Sequence, residues 1–211
     1  MKIILCAVES GMTKAWQEFC GDLDFVTVHT GSILDLDCDA VVSPANSFGF
    51  MDGGIDGLYL DHFGRDIQTR VRRQIFDYHA GEIPVGNADI VETGNPRIPF
   101  LIFAPTMRVP MVLKDSVNPY LATRAVFLLI KDGIFRSGTY QSSKVGDKVQ
   151  TVALPGMGTG VGKVSYNTCA HQVRNAINDV MLGQFRMPQS WAEASERHQL
   201  LYTNKLKRLQ Y

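Results

Sequence analysis

Hydrophobic and polar positions follow two rhythms along the chain. Short runs of β-branched residues alternate with longer runs in which apolar residues return every three or four positions. "KIILCAV" is unbroken and apolar, as a buried strand would be, and "MTKAWQEFC" carries the helical rhythm. "DFVTVHT" and "DAVVSPA" predict two further strands. A helical region follows from about Ile55 to Ala80, where Ile67, Val71, Ile75 and Tyr78 recur at helical spacing and Gly81 supplies a C-cap. "ADIVET" and "FLIFAP" are strand-like, "YLATRAVFLLIKDGIF" is a helix opened by Asn118-Pro119, and "QTVALP" is a last strand. Tyr166 to Phe185 reads as a long helix with Val173, Ile177, Val180 and Met181 on one side. From Pro188 the chain turns polar and predicts a marginal helix. The expected organisation is one domain over 1–187 and a helical C-terminal tail over 188–211, packed on it or loosely attached. Strands alternating with amphipathic helices describe an α/β layer protein, whose binding and catalytic residues belong on loops leaving the strands.

Composition narrows the chemistry. The chain of 211 residues suffices for a sizeable core. Lys and Arg number 21, as do Asp and Glu, so no global field draws in nucleic acid or an anionic membrane, and any anion must be held by local geometry. Cys6, Cys20, Cys38 and Cys169 are scattered without a C-x-x-C pair, which suits reduced thiols packed as small hydrophobes. "KIILCAV" and "AVFLLI" are too short for a secretory h-region with its flanks or for a membrane span. These features predict a cytoplasmic protein with no membrane partner, no metal and no cofactor, and leave the oligomeric state open.

Two glycine clusters carry the candidate chemistry. "LPGMGTGVGKV", Leu154 to Val164, is not a P-loop, because Met157 stands where a glycine is needed and Val164 where the magnesium-binding hydroxyl belongs. Nor is it a dinucleotide fingerprint, since Val161 occupies the place of the third glycine. "SPANSFGFMDGGIDG" lies between a strand and a helix, with Asn46 and Asp56 on either side of Gly53-Gly54. A glycine pair just ahead of a helix lets a ligand approach the backbone and meet its free N–H groups. Two such loops could grip a diphosphate without an arginine cluster.

These motifs resemble the macro domain family. "DAVVSPANSFGFMDGGIDG" looks like its strand, alanine-asparagine, glycine run and hydrophobic-aspartate pair, "GMGTGVG" looks like its second phosphate loop, and "GSI" at Gly31 to Ile33 stands where the family has glycine-aspartate-isoleucine. The resemblance covers Lys2 to Phe185 and implies a three-layer α/β/α sandwich around a mixed sheet, binding ADP-ribose or a derivative at the strand ends. It implies a ligand site of Ser32, Ile33, Ala45, Asn46, Gly53, Gly54 and Ile55 on one side and Gly156, Gly158, Thr159, Gly160, Val161 and Gly162 on the other. In hydrolytic members, an asparagine matching Asn46 positions the distal ribose and an aspartate matching Asp56 activates or positions water. The implied partners are ADP-ribose itself or ADP-ribosylated protein or nucleic acid, and the implied reaction releases ADP-ribose from a substituted distal ribose.

Three positions depart from the family pattern. Ser32 replaces the adenine-reading aspartate, and losing a charged hydrogen bond forfeits about 1.5–3 kcal/mol, which leaves base selectivity open. Ser43 stands where many members have an earlier asparagine. Gly162 stands where many have an aromatic over the distal ribose, which would leave that side of the cleft open to a bulkier group. As an exposed carboxylate near its ordinary pKa, Asp56 would be a feeble base, and a substrate phosphate would share its role. Plainer readings stand beside these: Asp56 as a helix-start carboxylate, Asn46 as a turn-former, Asp52 and Lys163 as solvated loop residues, Arg108 as a surface residue, and His62 and His171 as ordinary helix positions. The alternative to an enzyme is a non-catalytic reader of ADP-ribosylated macromolecules, or a scaffold whose cleft has decayed.

Overall fold

The computed structural model describes residues 1–44 and 46–207. The strands are β1 (Lys2–Ala7), β2 (Val26–Thr30), β3 (Ala40–Ser43), β4 (Asp89–Glu92), β5 (Phe100–Phe103) and β6 (Thr151–Leu154). They form one sheet in the order β2-β1-β6-β3-β5-β4. Every pairing is parallel except β4 with β5, where Ile90 faces Ile102, so the sheet is mixed.

The period-2 alternation of the strands sorts their side chains into two cores. Ile3, Leu5, Val42, Ile102, Val152 and Leu154 pack on one face against α1 (Ser10–Cys20), α4 (Asn118–Asp132) and α5 (Tyr166–Ala176). Cys6, Val41, Leu101, Phe103 and Ala153 pack on the other against α2 (Gly54–Phe63) and α3 (Asp66–His79). The result is a three-layer α/β/α sandwich in which both faces of the central strands are covered, the reason they read as nearly unbroken apolar runs.

The helical region expected from Ile55 to Ala80 is two helices, because Gly64 adopts φ 85 and ends α2. The chain re-enters a helix two residues later. Ile67, Val71 and Ile75 line the core as their spacing predicts, whereas Tyr78 is exposed and donates from its hydroxyl to the Arg136 carbonyl. The helix expected from Tyr166 to Phe185 is also shorter. α5 passes into a wider π turn over Ile177–Met181, then Gly183 at φ 65 reverses the chain and Gln184 N–H bonds back to the Asn178 carbonyl. Phe185 lies beyond it, exposed.

After Pro188 comes α6 (Trp191–Leu200), capped by Ser190, whose Oγ accepts from Glu193 N–H. Its end docks on α5: the buried Gln172 amide donates to the carbonyls of Leu201 and Ser116, and Gln199 exchanges two bonds with the backbone of Lys207. The segment after Pro188 thus meets α5 at Leu201 and folds back on itself between Gln199 and Lys207, and 208–211 lie outside the described residues. No helix among the described residues is long and apolar enough to cross a membrane.

Candidate functional site

The site follows from the connections. The chain leaves β1 and β6 toward the face carrying α1 and α5, but leaves β3 toward the face carrying α2. Since β6 and β3 are neighbours, their loops part in opposite directions and open a crevice at the carboxyl ends of the strands, where ligands of open α/β sheets bind. A cleft of about 510 Å³ occupies it.

Ser32, Ile33, Asn46, Gly53, Gly54, Ile55, Asp56, Gly156, Gly158, Thr159, Gly160, Val161 and Gly162 all line this cleft. Of the expected site residues, Ala45 alone lies outside the described residues. The same cleft is lined by residues not expected in the site: Cys6 within β1, Val8 and Glu9 after it, Phe50 inside the first glycine cluster, and Thr106, Met107 and Pro110 after β5. Their loops leave the same edge of the sheet as the glycine loops, which is the one signal that could have found them. Asp52 also lines the cleft and is exposed.

The glycines separate into two kinds. A Cβ on Gly156 would come within 2.4 Å of Thr159 Oγ1, and one on Gly162 within 2.4 Å of the Gly158 carbonyl oxygen, while Gly158 itself has φ 72. The turn requires these three. Gly53 and Gly160 differ: a Cβ on either would meet nothing within 4 Å, neither has a positive φ, and Gly53 is extended at φ −160. The fold does not need glycine at these two places, and both line the cleft, so what their bareness leaves is backbone open to a ligand. Behind Gly53, α2 points its N-terminus into the same space, with the first-turn N–H groups left over by the helix rule.

The place where a Cβ of residue 162 would stand is already taken, although Gly162 itself lines the cleft. The loop between β5 and α4 crosses over it: Leu113 N–H donates to the Gly162 carbonyl at 2.7 Å, and Leu113 Cγ lies 3.1 Å from where a Cβ of residue 162 would be. The other end of that loop is fastened to the first glycine cluster, with Met107 bridged to Asn46 and Ser47 N–H donating to the Arg108 carbonyl. Arg108 keeps its plain surface role, its guanidinium paired through two bonds with Glu82. Lys163 is exposed at φ 55 and does not line the cleft.

Asn46 holds its own loop. Its amide donates to the Phe50 carbonyl at 2.8 Å, and its oxygen accepts from the N–H groups of Phe48 and Phe50. Among the described residues, its second amide hydrogen has no partner. Ser32 caps the short turn Ile33–Asp35 by accepting from Leu34 N–H.

Asp56 is the main correction to the sequence reading. It sits in the first turn of α2, only 8% exposed, and its Oδ1 accepts from the buried Ser43 hydroxyl at 2.5 Å. Burial penalises the charged form and pushes its pKa up to about 7, against which the Ser43 hydrogen bond acts in the lowering direction. It is a buried carboxyl whose ionisation is pushed toward neutrality, not the exposed carboxylate near its ordinary pKa expected from the sequence.

This pKa is also a stability statement. The folded-state value lies above the unfolded one, so Asp56 costs nothing while both states are protonated, below about pH 4, and destabilises progressively as pH rises toward 7. Asp56→Asn is therefore expected to stabilise the fold, with a gain that grows between about pH 4 and pH 7 and then levels, bounded at about 4 kcal/mol. Thermal unfolding of both proteins across this range checks it, and a gain independent of pH would contradict it.

All four cysteines are buried and unpaired, with pKa values pushed up to about 11 for Cys6 and about 12 for Cys20, Cys38 and Cys169, largely by burial. Their thiols pack as small hydrophobes, and burial favours the protonated form of each. No cluster of three or more His, Cys, Asp or Glu placed to hold a metal occurs among the described residues.

Comparison with known proteins adds a lineage to this geometry. A protein of Aquifex aeolicus is 32% identical over 152 residues, covering 72% of this chain and 80% of its own length. A macro domain-containing protein of Caldanaerobacter subterraneus is 26% identical over 155 residues, covering 72% of this chain and 79% of its own. Among solved structures, the macrodomain of Mycobacterium tuberculosis DarG superposes with a TM-score of 0.57 at 18% identity, over 72% of this chain and 88% of that one. A variant of the Oceanobacillus iheyensis macrodomain with ADP-ribose also gives 0.57, at 16% identity, over 82% of this chain and 86% of that one. The family model of the macro domain matches residues 42–173, a span that opens on β3 and takes in both glycine loops and Asp56, and the chain belongs to the macro domain family.

Proposed function

We propose that the cleft binds ADP-ribose or a derivative and that the protein hydrolyses a bond at the distal ribose, releasing ADP-ribose from an acylated or otherwise substituted 1″ position. The observation that carries the binding reading is the bare backbone at Gly53 and Gly160, two glycines of one cleft that the fold itself does not require. Membership of the macro domain family, and the ADP-ribose held by the Oceanobacillus iheyensis relative, support the identity of the ligand. With no Lys, Arg or His among the described residues lining the cleft, the diphosphate depends on backbone N–H groups and the α2 dipole.

The hydrolytic part rests on Asp56. A carboxyl with a pKa near 7 is ionised in a large fraction of molecules at neutral pH and still basic enough to take a proton from water. Water forms the new bond to the substituted carbon, its proton passes to Asp56, and the bond to the leaving group breaks with that group carrying off the electron pair and then a proton. The glycine loops fix the diphosphate, so that binding energy remote from the reacting bond serves positioning. The Asn46 amide hydrogen that has no partner among the described residues is available to a ribose hydroxyl.

ADP-ribosylated protein, ADP-ribosylated DNA and O-acetyl-ADP-ribose, each incubated with the protein, are expected to include at least one substrate that releases free ADP-ribose. Binding of ADP-ribose with no release from any of the three would replace the enzyme reading with that of a reader.

A further inference from the structure

Asp56 and Asp89 are the two buried carboxylates among the described residues, and they are treated differently by the fold. Asp89, fully buried on β4, is surrounded by donors: His79 Nε2 at 2.9 Å, Gln74 Nε2 at 3.2 Å, Arg136 Nε at 3.3 Å and its neighbour's Ile90 N–H at 2.9 Å. That is the provision expected of a carboxylate kept for structure. Asp56 has one hydrogen-bond partner among the described residues, the neutral hydroxyl of Ser43. Ser43 ends β3, is 1% exposed, and is directed at Oδ1 from the strand while Asp56 reaches it from the first turn of α2.

We infer that Ser43 is a positioning residue of this site, whose hydroxyl orients the Asp56 carboxyl in the cleft wall and stabilises its ionised form through Oδ1. The inference rests on the reading of Asp56 as the base. It follows from what else surrounds that carboxyl. On its own helix, Tyr59 is fully buried and its hydroxyl is spent on the Val42 carbonyl at 3.0 Å, so it offers Asp56 nothing. The loop ahead of α2 brings Asp52 to the cleft and the end of β1 brings Cys6 and Glu9, none of which stabilises a second negative charge. No cationic side chain lines the cleft among the described residues. Among the described residues the Ser43 hydroxyl is thus the one side-chain counterweight to burial, and a hydrogen bond from a strand end to a helix start also fixes the rotation of the carboxyl.

The test follows Asp56 directly, by the pH titration of its side-chain carbon resonance in the full-length protein, before any substrate is added. Ser43→Ala removes the hydroxyl, and the midpoint is expected to rise by about 1–2 pH units, the worth of a hydrogen bond to a charged group. Ser43→Thr keeps a hydroxyl at the same atom, and its midpoint is expected to stay with the native one; the same spectra report whether each variant is folded. Where a substrate has been found, the acid limb of the pH–rate profile should move with the titration in Ser43→Ala and stay in place in Ser43→Thr. A midpoint unchanged in Ser43→Ala, or one that moves equally in both variants, would overturn the inference. The expected midpoint shift in a protein that hydrolyses no substrate would uphold it and refute the hydrolytic reading alone.

Discussion

Replacing Gly53 by glutamate is expected to abolish ADP-ribose binding without unfolding the protein. Gly53 is extended, at φ −160 and ψ 165, a conformation any residue adopts, and a Cβ there meets nothing within 4 Å. The new side chain therefore costs the fold little, but its carboxylate enters the space proposed for the diphosphate and faces it with like charge. Such a juxtaposition costs several kcal/mol, which is a loss of more than about 100-fold in affinity. The neighbouring Gly54→Glu is a poorer experiment. Gly54 sits at φ 57, so a side chain there is strained whatever space it finds, and lost binding would not be separable from a disturbed helix start. Calorimetry on Gly53→Glu, with a thermal melt beside it, checks the expectation. A melted variant, or native affinity in a folded one, would contradict it.

The second large effect is on turnover. Asp56→Ala is expected to lower kcat by about 10²–10⁴-fold, the usual worth of general acid–base help, while leaving the affinity for ADP-ribose nearly unchanged. The pH dependence gives this its signature. If Asp56 is the base, the native enzyme gains activity as pH rises through about 7, since only the ionised form accepts a proton, and the residual activity of the variant lacks that step. Full activity in Asp56→Ala would remove this residue from the mechanism.

Much of the fold was legible because buried strands and amphipathic helices announce themselves by period, and those periods place Ile3, Leu5, Val41 and Val42 on the core faces they occupy. Helix ends were less so. Gly64 within an apolar helical run reads as a tolerated interruption, and only its φ of 85 reveals a stop. The π turn after Ala176 keeps the apolar stripe running through Val180, so the periodicity passes over the change. In the site, both glycine loops could be located by composition, but not which glycines serve the turn and which serve the cleft, because that depends on what a Cβ would meet. The burial of Asp56 was hidden for the same reason. Its partner Ser43 is thirteen positions away and reads locally as the polar end of a strand, and the strap that carries Leu113 over Gly162 is joined to it by tertiary contact alone. Val8 and Glu9 belong to no motif and enter the cleft because their loop leaves the same edge of the sheet, while Phe50 lies inside the first glycine cluster, where nothing in the sequence sets it apart.

The central claim is that this cleft, walled by two bare stretches of backbone, holds ADP-ribose. Isothermal titration of the intact protein with ADP-ribose tests it most directly. The account predicts one molecule bound per chain with a dissociation constant of about 100 μM or below, corresponding to more than about 5 kcal/mol of binding free energy. No heat of binding at millimolar ADP-ribose, from protein whose thermal melt shows it folded, would contradict it.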